Sequence, residues 1–133
     1  MSEYNLDDVL DVALAAALEA GSILTEFAGK LNVRPDFNGE KLWTKSSRRD
    51  LATAADVASE RAIVARIREA FPTHAIEAEE EVCDQGDARI GPRWFVDPLD
   101  GTINFVHGLP AYCVSLGFYV DGKPLLSVVH LPR

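Results

Sequence analysis

The stretch WFVDPLDGTINFVHGLP, residues 94–110, joins a short apolar run to a turn that carries two acidic side chains. The apolar run 94–96 is bounded by turn-forming residues, which predicts a buried strand. Asp97 stands at the end of the predicted strand, Pro98 stiffens the turn, and Asp100 follows three positions after Asp97. Both carboxylates can therefore converge on one point in a cleft.

This turn carries the kinds of ligand that a hard cation needs. Mg²⁺ takes oxygen ligands, commonly a few carboxylates with waters and phosphate oxygens, and the carbonyl of Leu99 can point inward beside the two aspartates. Gly101 lets the backbone come close, and Thr102 begins a predicted short helix whose exposed N–H groups suit a phosphate. The alternative interpretation is an ordinary Asp-rich turn in which Asp100 caps the helix.

The segments around this turn predict a sheet. Two apolar runs, roughly 112–120 and 123–130, flank Asp121-Gly122, and Asp-Gly between such runs is typical of a two-residue hairpin. A short extended segment is predicted at 75–79, followed by a polar loop over 81–92. The aromatic side chains of Trp94, Phe95 and Phe105 are predicted to lie in the core.

A long amphipathic helix is predicted from about Leu6 to Ala28, because apolar residues recur there at helical spacing. Gly29 is placed to cap its C-terminus. Residues 30–50 are rich in polar and turn-forming residues, which predicts a loop or a hairpin.

A second helix is predicted from about Thr53 to Phe71. Thr53 and Asp56 have the spacing of a capping box, and Pro72 ends the helix. Together these elements predict an α+β fold over residues 1–133, in which two long helices pack on a largely antiparallel sheet.

Composition excludes some classes of function. The net charge of −8 argues against nucleic acid as a partner, because binding a phosphate backbone needs a basic face. No apolar run is long enough to span a membrane, and acidic residues stand where a signal peptide would be basic. Cys83 and Cys113 have no metal-binding spacing, so we expect reduced thiols in a cytoplasmic protein.

The stretch 94–110 resembles the signature of the inositol monophosphatase family, which belongs to the lithium-sensitive, Mg²⁺-dependent phosphomonoesterases. The resemblance continues in the expected order over about two-thirds of the chain, from about Lys45 to Pro132. The segments that carry it are Lys45-Ser46-Ser47, Asp50 to Asp56, Phe71-Pro72-Thr73-His74, Glu79-Glu80 and Asn104 to Pro110.

The resemblance implies a set of metal ligands. Glu79, Asp97 and the Leu99 carbonyl would hold a first Mg²⁺, and Asp97 and Asp100 would supply part of a second site. Glu80 would bind metal through water or orient the other ligands.

The resemblance also implies catalytic and phosphate-binding roles. Glu79 and Thr102 would activate the attacking water, and Asp56, which could also be only a helix cap, would support Thr102 through a hydrogen bond. The N–H groups of Gly101 and Thr102 would receive the phosphate beside Asp100. Lys45 would be a loop lysine near a third, weaker metal.

By resemblance, the expected reaction is hydrolysis of inositol monophosphate to inositol and phosphate, on the first half of an αβαβα sandwich. Other phosphomonoesters remain open as substrates: histidinol phosphate, adenosine 3′,5′-bisphosphate and fructose 1,6-bisphosphate. We expect no membrane partner, and either a homodimer, as in the full-length family, or a complementing C-terminal half.

Two departures from the family pattern stand out. Ala78 replaces the usual Gly before the Glu-Glu pair, and a downstream Trp-Asp motif that completes the second metal site does not occur. The expectation is therefore a metal-binding N-terminal domain without its substrate-binding half, which leaves open a catalytically incomplete fragment that binds Mg²⁺ and phosphate.

Overall fold

The computed structural model describes residues 4–31, 45–79, 82–83 and 90–132. In chain order the elements are α1 (Leu6–Leu31), α2 (Lys45–Ala70), β1 (Ala75–Ala78), β2 (Val82–Cys83), β3 (Pro92–Asp100), α3 (Thr102–Val106), β4 (Cys113–Val120) and β5 (Lys123–His130). The strands form one sheet in the order β2-β1-β3-β4-β5, and α1 and α2 pack on one of its faces. Only the β1–β3 pair is parallel within these residues, so the predicted α+β class and largely antiparallel sheet are confirmed.

Helix α1 begins as predicted but runs further. The side chain of Asn5 caps it by accepting hydrogen bonds from the N–H groups of Asp7 and Asp8, at 2.9 and 3.3 Å. The helix continues to Leu31, which is buried. The prediction that Gly29 is the C-cap is therefore wrong, because burial of Leu31 carries the helix past the glycine.

Helix α2 begins eight residues before the predicted start, at Lys45 rather than Thr53. The prediction of a loop is therefore wrong for residues 45–50, and residues 32–44 lie outside the described part. The Thr53 hydroxyl donates to the carbonyl of Arg49 at 2.9 Å, as a side chain inside a helix does. Thr53 is therefore not an N-cap.

The core lies between the two helices and the sheet. Trp94 and Phe118 are fully buried there, with ring centroids 5.0 Å apart. The indole N–H of Trp94 donates to Nδ1 of His74 at 3.1 Å, and His74 stacks on Phe71 at 4.5 Å. Phe95, predicted to be in the core, is 39% exposed because it points to the sheet face opposite the helices.

The predicted hairpin is confirmed. Asp121 and Gly122 join β4 to β5, and both have positive φ angles, 51° and 77°. These angles match the twist that the two strands need. The extended segment predicted at 75–79 is β1, and β2 lies within the stretch predicted as a loop.

Among the described residues, neither of the long helices has the combination of length and low charge needed to cross a bilayer.

Candidate metal centre

Two acidic residues meet where the pairing of β1 with β3 ends. The two strands are parallel, and Ala78 pairs with Val96 in their last register position. The next residues along each chain are Glu79 and Asp97, so both carboxylates arrive at the same edge of the sheet. Both line an open hollow of about 500 Å³ on the sheet face away from the helices.

A bulge in β3 brings Asp100 to the face that carries Asp97. Side chains alternate between the faces of a strand, so residues three positions apart normally point in opposite directions. Here Asp97 pairs with Ser115 and Asp100 with Cys113, which gives β3 one extra residue against β4. Both aspartates are exposed, whereas the two residues between them are buried.

Asp100 and Glu79 lie close enough to Asp97 to affect its protonation. The pKa of Asp97 is raised above its ordinary value of 3.8, first by partial desolvation, then by the charges of Asp100 and Glu79. A hydrogen bond from the backbone N–H of Leu99 acts in the opposite direction. The charges of Asp100 and Glu79 therefore disfavour the ionised form of Asp97, and the three acids form a centre of negative charge.

The turn after Asp100 is shaped by a glycine. Gly101 has a φ of 93°, and a Cβ at this position would lie 2.8 Å from the carbonyl oxygen of Ala111. Helix α3 follows at once, so the predicted helix start at Thr102 is confirmed. The Thr102 hydroxyl donates to the Leu99 carbonyl at 3.4 Å, a long bond that holds the hydroxyl beside a predicted ligand.

A buried side chain of helix α2 is hydrogen-bonded to the bulge in β3. Ser59 is fully buried, and its hydroxyl donates to the carbonyl of Pro98 at 2.8 Å. Sequence analysis missed Ser59, although its position four residues from both Ala55 and Ile63 marks it as a polar residue on a buried stripe. Asp56 lies one turn before it and is partly buried; its bond to Thr102 stays a prediction.

A second residue missed by sequence analysis is Cys113, opposite Asp100 on β4. Its thiol donates to a carboxylate oxygen of Asp100 at 3.8 Å. Burial, followed by the charge of Asp100, raises the pKa of the thiol. The cysteine is therefore a neutral neighbour of the acidic centre.

The described acids do not form a complete metal cage. Over residues 4–31, 45–79, 82–83 and 90–132, no three His, Cys, Asp or Glu side chains form a group that could hold a metal ion by themselves. Glu80, a predicted ligand, lies outside the described residues. Lys45 is the first residue of α2, but its side chain also lies outside the described part.

The similarity to known proteins covers nearly the whole chain. The model of the inositol monophosphatase family matches residues 5–133. The chain is 38% identical to inositol monophosphatase 3 of Solanum lycopersicum over 130 residues, which are 96% of this chain and 45% of the relative. It is 38% identical to the fructose-1,6-bisphosphatase/inositol-1-monophosphatase of Thermotoga maritima, over 94% of this chain and 44% of the relative.

Solved structures give the same result. The inositol monophosphatase from Anabaena superposes with a TM-score of 0.74 at 38% identity, covering 97% of this chain and 42% of that one. Inositol monophosphatase II of Staphylococcus aureus gives a TM-score of 0.75 at 31% identity, over 93% of this chain and 42% of that one. The chain thus spans less than half the length of the relatives that it matches.

Proposed function

We propose, because the chain belongs to the inositol monophosphatase family, that it supplies the metal-binding part of an enzyme that hydrolyses a phosphomonoester. The proposed reaction converts inositol monophosphate to inositol and phosphate. The observation that carries the proposal is the β3 bulge, which turns Asp97 and Asp100 to one face beside Glu79. A bulge of this kind allows two carboxylates three residues apart on one strand to reach the same ligand.

The donor set fits Mg²⁺. The pKa of Asp97 is raised first by desolvation and then by the charges of Asp100 and Glu79, and a divalent cation would remove the repulsion between these carboxylates. The oxygens of Glu79, Asp97, Asp100 and the Leu99 carbonyl are hard ligands of the type that Mg²⁺ prefers. When bound, the metal supplies a water of lowered pKa and neutralises charge on the phosphate.

The chain's own residues would then do the remaining work. Glu79 would accept the proton of the attacking water, and the Thr102 hydroxyl would orient that water, supported by Asp56. The N–H groups of Gly101 and Thr102 would hold the phosphate. Phosphoryl transfer needs mainly positioning and charge neutralisation, so these contributions suffice without a covalent step on the protein.

The rest of the site is proposed to come from sequence outside residues 1–133. Glu80 and the Lys45 side chain are proposed to contribute within the chain, as metal orienter and loop cation. A complementing segment, as long as the unmatched part of the relatives, would cover the hollow and bind the alcohol part of the substrate. A homodimer as in full-length relatives is part of the same proposal, and so is a cytoplasmic location, which fits the free thiol of Cys113.

Two alternatives keep specific support. The Thermotoga relative carries both fructose-1,6-bisphosphatase and inositol-1-monophosphatase in its name, so a sister substrate is a candidate, with histidinol phosphate and adenosine 3′,5′-bisphosphate as further members of that class. The incomplete ligand set among the described residues supports a fragment that binds Mg²⁺ and phosphate without turnover.

The test separates binding from turnover. Calorimetric titration with Mg²⁺ should give a binding signal that Asp97→Asn abolishes and Asp11→Asn, an exposed control on α1, leaves unchanged. Phosphate release is then measured with inositol 1-phosphate and the three alternative substrates, with and without a relative's C-terminal half added as a separate chain. Metal binding without turnover in both mixtures would favour the binding fragment, and no metal binding would contradict the proposal.

A further inference from the structure

One residue of α3, Asn104, makes two hydrogen bonds to the chain that leads into β4. Its side-chain amide nitrogen donates to the carbonyl of Ala111 at 2.9 Å, and its main-chain carbonyl accepts from the N–H of Leu109 at 2.8 Å. A carbonyl can only accept, so the contact with Ala111 needs an amide donor, which a carboxylate of the same shape lacks. Asn104 therefore holds the end of this connection against α3.

The carbonyl that Asn104 holds lies against Gly101. A Cβ at Gly101 would be 2.8 Å from the Ala111 oxygen, and 3.2 and 3.3 Å from the Cα and Cβ atoms of Tyr112. The chain that leads into β4 therefore packs directly on the glycine turn that precedes α3.

The turn needs such a contact because glycine does not fix its own conformation. Gly101 has a φ of 93°, in a region that glycine enters and leaves at little cost. The direction of the Thr102 N–H relative to that of Gly101 depends on the two backbone angles of the glycine. Contact with the Ala111 carbonyl restricts those angles, so a fixed carbonyl gives a fixed pair of donors.

Other contacts of this loop, within the described residues, are more buried. Phe105 and Tyr112 are 1% and 4% exposed, and their rings meet edge to face with centroids 5.1 Å apart. Arg48 of α2 donates to the Val106 carbonyl at 3.1 Å. These contacts hold the loop on the protein, whereas the bond from Asn104 to Ala111 is exposed to solvent. An exposed bond adds little to the stability of the whole chain, so its effect should be local.

From this arrangement we infer that Asn104 is a positioning residue for phosphate: its side chain holds the Ala111 carbonyl, which keeps the glycine turn in the conformation that presents two N–H groups to one anion. The role rests on the proposed function, in which those N–H groups belong to Gly101 and Thr102. Asn104 acts through Ala111 and does not itself contact the phosphate. Donors that are fixed before binding lose less conformational entropy on binding, so phosphate affinity depends on this bond.

Calorimetry on the chain of 133 residues tests the role. The chain is first saturated with Mg²⁺ and then titrated with inorganic phosphate. Asn104→Ala should weaken phosphate binding about fivefold, the effect of losing one hydrogen bond that preorganises a site. The dissociation constant for Mg²⁺ should stay close to the wild-type value, because the β3 bulge places the carboxylates of Asp97 and Asp100.

Asn5→Ala is the matched control. The side chain of Asn5 also bonds to the backbone, at the start of α1, where it accepts from the N–H groups of Asp7 and Asp8. Loss of this cap should lower Tm and leave phosphate affinity unchanged, which separates a weakened fold from a displaced turn. Equal phosphate affinities of Asn104→Ala and the wild type would overturn the inference, and so would an equal loss of affinity in Asn5→Ala.

The wild type distinguishes this inference from the proposed function. A wild type that binds Mg²⁺ but no phosphate would contradict the phosphate-binding role proposed for Gly101 and Thr102, and the role of Asn104 with it. A wild type that binds phosphate as tightly as Asn104→Ala would contradict the role of Asn104 alone.

NMR of the ¹⁵N-labelled wild type gives a second readout if Asn104→Ala does not fold. Phosphate added to the Mg²⁺-saturated chain should shift the backbone amide signals of Gly101 and Thr102. It should also slow the exchange of the Asn104 side-chain amide with water, because the bond to Ala111 is held more firmly. Unchanged exchange of that amide would overturn the inference. A larger shift of its signal than of both backbone signals would show direct contact with phosphate and would overturn it as well.

Discussion

The hydroxyl of Ser59 donates a hydrogen bond of 2.8 Å to the carbonyl of Pro98, from the buried face of α2 to the bulge in β3. Pro98 is one of the two buried residues between Asp97 and Asp100. A helix side chain thus fixes the backbone irregularity on which the position of both carboxylates depends. The acidic centre is supported from the core as well as from its own strand.

Replacing Ser59 by Ala should lower the free energy of unfolding by about 1–3 kcal/mol, because a buried carbonyl loses its donor. Mg²⁺ affinity should also fall, since the bulge loosens. Denaturant unfolding and calorimetry measure the two effects. Ser22→Ala is the control, because the Ser22 hydroxyl bonds to Leu18 on an exposed face, and its effect should stay within about 0.5 kcal/mol. Equal effects of the two variants would show that Ser59 does not stabilise the bulge.

Replacement by Ala should change the free energy of unfolding with opposite signs at two of the glycines. Gly101→Ala should destabilise by about 1–3 kcal/mol, because φ is 93° and the new Cβ would meet the Ala111 carbonyl at 2.8 Å. Gly29→Ala should stabilise by about 0.5–1 kcal/mol, since Gly29 lies inside α1 and an added Cβ would meet no atom of the described residues within 4 Å. Thermal unfolding of both variants checks the signs, and a harmless Gly101→Ala would contradict the described turn.

The metal-free protein should become more stable when Asp97 loses its charge. Its folded pKa lies above the ordinary value, so this carboxyl stabilises the fold when protonated and loses that contribution as pH rises through the folded pKa. Asp97→Asn, which stays neutral, should raise Tm at pH 7 by on the order of 1–3 °C, a small shift because the side chain is exposed to solvent. The difference from wild type should close as the pH falls toward 3.8 and below. A difference that grows on acidification would have the wrong sign.

The ion pair between Arg93 and Glu77 should matter more than the pair between Arg66 and Glu19. The Arg93 side chain is 2% exposed and bonds to Glu77 at 3.1 Å, whereas both partners of the second pair are more than 40% exposed. Glu77→Gln should cost about 1–3 kcal/mol, as for a hydrogen bond to a buried charge. Glu19→Gln should cost less than about 1 kcal/mol. Urea unfolding of both variants measures the two losses in free energy of unfolding. A larger loss for Glu19→Gln than for Glu77→Gln would contradict the prediction.

The sequence is informative where local chemistry determines the structure. Asp121 and Gly122 predict the hairpin because few other residues adopt two successive positive φ angles. The prediction fails at the start of α2, where polar residues from Lys45 onward are typical of a loop. The polar run is helical in the folded chain, where Arg48 donates to the Val106 carbonyl at 3.1 Å. That contact joins residues 58 positions apart, so no local pattern could reveal it.

The candidate site, too, could be predicted from the sequence only in part. The pair Asp97 and Asp100 is visible in the sequence, but its spacing alone would turn the two side chains to opposite faces of a strand. The bulge that reverses this depends on the register with β4, and the contribution of Ser59 depends on how α2 packs. Both are tertiary properties. The core position predicted for Phe95 is wrong for a related reason, since its apolar neighbours do not indicate which sheet face the helices cover.

The parallel pairing of β1 with β3 has a consequence for the order of folding. The β4–β5 hairpin closes through a two-residue turn and can form early from local contacts. Glu79 and Asp97 become neighbours only when β1 and β3 pair, and parallel strands cannot be joined by a tight turn. We therefore expect the acidic centre to form after the β4–β5 hairpin, at the step in which β1 pairs with β3.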